Sequence, residues 1–262
     1  MTKIFQSLSI IILCITAVVL IALQIKPFGW ILYGIGVLLL LLCKPDFRKH
    51  IFLVYVSLGI LGLTSINTEV SVFHMAIMGF MVGLALLTPY YISRYIYKDH
   101  IVKYQFHHGR MWNKWEIFYI FFAAAVTYFT FPFMLRETGS YLNWRVEPGF
   151  GYLGLFFIGT NALGIWDELF FVNTILAILR KHMSFVLANI VQSVLFTSFL
   201  FELGFRGWAF LLIYIFALLQ GYVYKKTHSL LYIITIHLIV DLVLYLVLIY
   251  LHHPEWLPIF IT

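Results

Sequence analysis

Residues 229–251 read SLLYIITIHLIVDLVLYLVLIYL, a run of apolar side chains broken only by Ser229, Thr235, His237 and Asp241. As a helix the run is about 34 Å long, enough to cross a hydrocarbon core of about 30 Å. Similar runs fall at about 8–25, 27–43, 50–66, 72–92, 115–135, 150–178, 184–201 and 207–224. The second and third are near the lower limit for a crossing. Inside lipid the backbone must satisfy its own hydrogen bonds, so helix is the expected state of all nine runs. The first run is too long for a signal peptide and lacks a clear cleavage site, so it counts as a span. The expected fold is an all-α, polytopic transmembrane helical bundle of about nine spans.

Composition supports lipid as the solvent. Of 262 residues, 63% are hydrophobic and only 11% are charged, against about a quarter in soluble domains. Phe, Tyr and Trp make up 19%, which suits many rings at a membrane interface. The formal charge of +6 does not point to nucleic acid, because the basic residues occupy short loops between apolar runs. Their placement sets an orientation. With the N-terminus in the cytoplasm, the inner segments hold Lys3, Lys44, Arg48, Lys49, Arg94, Lys98, Lys103, Arg110, Lys114, Arg180, Lys181, Lys225 and Lys226. The outer segments keep only Lys26, Arg136, Arg145 and Arg206. The positive-inside bias therefore predicts N-terminus in and C-terminus out. The basic and aromatic loop 94–114 reads as lying on anionic headgroups. Cys14 and Cys43 both fall in apolar stretches, with no disulfide framework and no C-x-x-C spacing.

Ionisable groups inside a span cost at least about 2.5 kcal/mol on insertion scales. Most runs carry none. The sixth carries Asp167 and Glu168, and the ninth carries His237 and Asp241. Glu168 lies about 18 Å along a helix from Arg180, and His237 about 16 Å from Lys226, so both reach the same depth. His237 and Asp241, four apart, share one helix face. A carboxylate and an imidazole are thus expected to meet in mid-membrane. Such a pair suits a general base activating water, a proton relay in a transporter, or a buried structural contact.

Two stretches carry a resemblance. The first is Trp166-Asp167-Glu168-Leu169-Phe170-Phe171-Val172. The second runs Gln220-Gly221-Tyr222-Val223-Tyr224-Lys225-Lys226-Thr227-His228-Ser229-Leu230, then His237-Leu238-Ile239-Val240-Asp241. Over roughly 150–245 they resemble the CPBP family, the CAAX-prenyl-protease and bacteriocin-processing (Abi) intramembrane proteins. Its motifs are E-E-x-x-x-R, F-x-x-x-H, and H-x-x-x-N/D after a Gly-containing helix and a basic turn. The last fits best. Asp167 replaces the first Glu, Val172 stands at the Arg, and Leu200 stands where the second-motif His follows Phe196.

The resemblance implies N-terminal transmembrane helices over 1–140 and a family-like core over 141–262, within one integrated membrane domain. It also implies glutamate-type peptide hydrolysis in a cavity among the sixth, seventh and ninth helices. Glu168 would deprotonate water, His237 would stabilise the oxyanion, and Asp241 would orient the imidazole. Asp167, Glu202 and Gln192 are supporting or substitute polar groups. No metal and no cofactor are expected, and the chain has no H-E-x-x-H. The expected partners are the bilayer and a membrane-embedded or lipid-associated polypeptide, in a bacterial cytoplasmic membrane. The alternative is a catalytically inactive relative acting as scaffold, immunity factor or partner-binding subunit, favoured by Val172 and Leu200. A proton-coupled transporter is weakened by the lack of broken helices repeated in two halves.

Overall fold

The computed structural model of the chain describes residues 2–64, 66–107, 109 and 111–260. Arg110, one of the predicted inner basic residues, lies outside them. The described residues contain nine long helices and no strand. They are α1 (Thr2–Ala22), α2 (Lys26–Leu41), α3 (Pro45–Leu63), α4 (Val72–Ile96), α5 (Lys114–Glu137), α6 (Phe150–Arg180), α7 (Phe185–Glu202), α8 (Ala209–Thr227) and α9 (Leu230–His252). Each matches one apolar run of the sequence. Seven are long and apolar enough to cross a membrane. The other two are α2, whose 16 residues span about 24 Å, and α3, which opens with Asp46, Arg48 and Lys49.

Local chemistry sets where these helices begin. Pro45 starts α3, where its missing N–H costs nothing. Ser71, Ser184 and Ser229 cap α4, α7 and α9 through their hydroxyls. Asn113 and Glu116 form a reciprocal capping box at α5. Proline inside a helix needs a different remedy. Pro89 has no N–H for the carbonyl of Ala85, one turn earlier in α4. Ser57 Oγ of α3 donates to that carbonyl at 2.8 Å, and both residues are buried.

The connections gather at two ends of the bundle. At one end Leu230 N and Leu231 N donate to the carbonyls of Gln105 and Phe106, and His50, Asp99 and His182 touch. At the other, Thr68 Oγ1 donates to Asn143 O, Asn143 Nδ2 to Leu203 O, and His253 Nε2 bonds Val146 O. Helices between these ends therefore alternate in direction. Their outer faces expose large rings such as Phe73, Phe80, Phe121 and Phe129. Lipid removes the cost that water would impose on those rings.

Candidate active site

Helix α6 carries the first two acidic groups where its winding changes. Residues Phe150–Asp167 are α-helical, and Glu168–Ile175 adopt the wider i→i+5 form, a local geometry frequent at functional sites. The neighbouring Trp166 is buried, and its Nε1 donates to Val82 O of α4 at 2.8 Å. That bond fixes the rotation of α6 just before Asp167. Helix α9 supplies His237 and Asp241 one turn apart.

These elements converge on His237. Its Nδ1 lies 2.6 Å from Glu168 Oε1, and its Nε2 lies 3.7 Å from Asp241 Oδ1. The same Glu168 oxygen accepts from Gln220 Nε2 of α8 at 2.7 Å, and Gln220 also donates to Ile233 O at 3.1 Å. Glu168 is thus held by two donors and is fully buried. With Nδ1–H given to Glu168, Nε2 is the ring nitrogen turned toward Asp241. The edge of Phe216 packs on the imidazole with centroids 5.1 Å apart. Gly164 lies one turn before Glu168 against Asp241 and His237. A Cβ there would collide with Asp241 Oδ2 and lie 3.1 Å from His237 Cδ2.

A cavity of about 210 Å³ opens beside this cluster. Its walls come from α5, α6, α8 and α9, with Leu200 of α7, and they are mostly apolar. Among its lining residues are Asp167, His237 and Asp241, but not Glu168. Asp167 Oδ1 and Asp241 Oδ2 are buried and accept no hydrogen bond from the described residues. Leu200, at the position of the second-motif histidine, lines the cavity. Val172, at the position of the motif arginine, is fully buried in an apolar cluster with Ile233 and Ile236.

The structure therefore brings Asp167, Glu168, His237 and Asp241 together. It does not bring Glu202 or Gln192 to them. The charged neighbours of Glu202 are Arg206 and Lys26. Gln192 Nε2 bonds Asn189, Ser193 and the Ala217 carbonyl, tying α7 to α8. Sequence reasoning quoted Gln220 within the second motif stretch and weighed the amide of Gln192, but did not pair Gln220 with Glu168. A neutral amide in an apolar run is a weaker form of the signal that an ionisable group gives.

Residues 149–243 match the family model described as type II CAAX prenyl endopeptidase Rce1-like. This stretch takes in all of α6, α7 and α8, and α9 through Val243. The motif resemblance covered roughly 150–245 and points to the same family. No curated protein and no solved structure matches the chain. The chain is an integral, multi-pass membrane protein whose matched segment is CAAX protease-like.

Proposed function

We propose that this protein, similar over residues 149–243 to type II CAAX prenyl endopeptidases of the Rce1-like kind, hydrolyses a peptide bond in a membrane-associated polypeptide. The observation that carries the reading is the cavity, where two carboxylates and one oriented imidazole face mostly apolar walls. The geometry favours a different division of labour from the one expected of the motif. Glu168 holds Nδ1 of His237 and stands behind the ring, so it is a positioning residue. Asp167, which faces the cavity, is the better placed base.

In the proposed reaction Asp167 takes a proton from water as the water oxygen bonds to the carbonyl carbon. His237, as imidazolium paired with Glu168, donates a hydrogen bond from Nε2 to the developing oxyanion and keeps that proton as the carbonyl re-forms. Asp241 stabilises that cation from the other side. When the C–N bond breaks, the proton held by Asp167 passes to the leaving amine. The apolar walls exclude bulk water, which strengthens each of these contacts. They also suit a lipid chain or apolar side chains beside the scissile bond.

The test is cleavage of prenylated and unprenylated peptides by the purified protein in lipid vesicles. Asp167→Asn and His237→Ala are expected to lose activity by at least about 100-fold. Glu168→Gln keeps the hydrogen-bond scaffold but not the charge, and is expected to retain more activity than either. Equal cleavage by wild type, Asp167→Asn and His237→Ala would sink the reading. Absence of cleavage of any peptide by the wild type would leave the scaffold alternative, with Leu200 in the cavity as its reason.

A further inference from the structure

A second cluster lies at the end of the bundle where residue 182 meets the start of α3. Asp46 and His50 stand one turn apart on α3, and His182 lies in the turn between α6 and α7. One ligand atom from each falls within 4.8 Å of the others. His50 Nδ1 is 2.9 Å from His182 Nε2 and 3.8 Å from Asp46 Oδ1. His50 is fully buried. Its other nitrogen, Nε2, bonds Asp99 Oδ2 at 2.7 Å. Asp99 is itself held, because its Oδ1 accepts from Ser93 Oγ at 2.6 Å. Both residues flanking Asp99 have left-handed backbone, with φ of 55° at Lys98 and 51° at His100. Non-glycine residues enter that region at a cost, so the loop is bent to present this carboxylate.

Histidines that bind metals almost always give their second N–H to a carboxylate or carbonyl, which fixes the tautomer. Asp99 does this for His50 and leaves the Nδ1 lone pair facing His182 and Asp46. We propose that Asp46, His50 and His182 bind one divalent first-row transition ion, zinc foremost, with water as fourth ligand. Two imidazoles and one carboxylate are a recognised three-ligand zinc set with an open position. Two imidazoles disfavour calcium and magnesium, which prefer oxygen. Tetrahedral Zn–N bonds of about 2.0–2.1 Å place two nitrogens about 3.3 Å apart. The 2.9 Å between His50 Nδ1 and His182 Nε2 is about 0.4 Å short of that spacing, and the 3.8 Å from His50 Nδ1 to Asp46 Oδ1 is about 0.5 Å beyond it, so both partners on the half-exposed side have to adjust.

The basic neighbours supply a test with a sign. Lys49 Nζ and Lys181 Nζ lie 3.4 and 3.8 Å from Asp46 Oδ1 and compete with a cation for it. The full-length protein, free of any affinity tag and stripped with EDTA, is titrated with Zn²⁺ by calorimetry and with Co²⁺ by visible absorption. One ion per chain is expected, with cobalt bands typical of tetrahedral coordination. His182→Gln and Asp46→Asn are expected to weaken zinc at least ten-fold, and Asp99→Asn about 10- to 100-fold. Lys181→Gln is expected to tighten zinc about two- to five-fold, a gain that misfolding does not produce. No saturable binding to the wild type overturns the site. So does an affinity unchanged in His182→Gln and Asp46→Asn. None of these residues lines the cavity, so the outcome is independent of the peptide-hydrolysis reading.

Discussion

Glu168 and His237 sit 69 positions apart in sequence, and their side chains meet at 2.6 Å. Counting residues from the basic loops placed them at one depth, because rise per residue is nearly constant along an α-helix, and the eight wider-wound residues of α6 alter it only slightly. The count gives height but not direction. Successive residues on a helix point about 100° apart, so Asp167 and Glu168 at nearly the same depth face different ways. Asp167 looks into the cavity while Glu168 looks at His237 and Gln220. No periodicity reveals that choice, since it depends on the tether of Trp166 to Val82. Glu202 and Gln192 share a helix with the motif position Leu200, and that alone does not bring their side chains to the cavity. Gly164 gives a prediction at this scale. Gly164→Ala puts a methyl where Asp241 Oδ2 stands, so Asp241 has to move. The proposed peptidase activity is expected to fall by about 100-fold, with the melting temperature in detergent nearly unchanged. Activity equal to wild type would show that the position of Asp241 is immaterial.

At the scale of elements, the existence of each helix was legible and the irregularities were not, while α1 and α3 begin five or six residues before their apolar runs. Apolar runs and serine or proline starts are local signals, and each run became one helix. The wider winding at Glu168–Ile175 is marked by no proline or glycine in the sequence of that segment. Pro89 is the opposite case. It is visible in sequence as a defect, but its remedy lies on another helix. Ser57→Ala is expected to destabilise the protein by about 1 kcal/mol, measured by thermal unfolding in detergent. In a Pro89→Ala background the restored N–H serves the Ala85 carbonyl, and the same substitution is expected to cost much less. Equal costs in both backgrounds would show that Ser57 does not compensate for the proline.

For the whole molecule, basic residues and the gathering of connections at two ends agree on alternating helices. The expected orientation puts residue 103 in the cytoplasm and residue 147 outside, and both are exposed. In a background with Cys14 and Cys43 replaced by serine, Glu147→Cys is expected to react with a membrane-impermeant thiol reagent in right-side-out vesicles. Lys103→Cys is expected to react only after permeabilisation. The reverse pattern would invert the topology, and labelling of both from one side would break the alternation. What the sequence hid at this scale was the second cluster. Asp46 and His50 carry a helical spacing, but His182 is 132 positions from His50 and reaches it only when α3 and the α6–α7 turn meet.

The indole of Trp166 has a meaning beyond its single hydrogen bond. It belongs to the segment that matches the family model, yet the carbonyl it holds, Val82, lies 67 positions upstream of where that match begins. One wall of the cavity, with Tyr119, Thr127 and Thr130, is likewise upstream. The motif is therefore not portable. Grafted into a foreign bundle, residues 149–243 would carry their acids and histidine but lose the fixed point that aims them. Heredity of the motif and heredity of its aim reside in different parts of the chain, and a substitution of Trp166, which removes the donor to the Val82 carbonyl, can disarm a site whose proposed reacting groups are all intact.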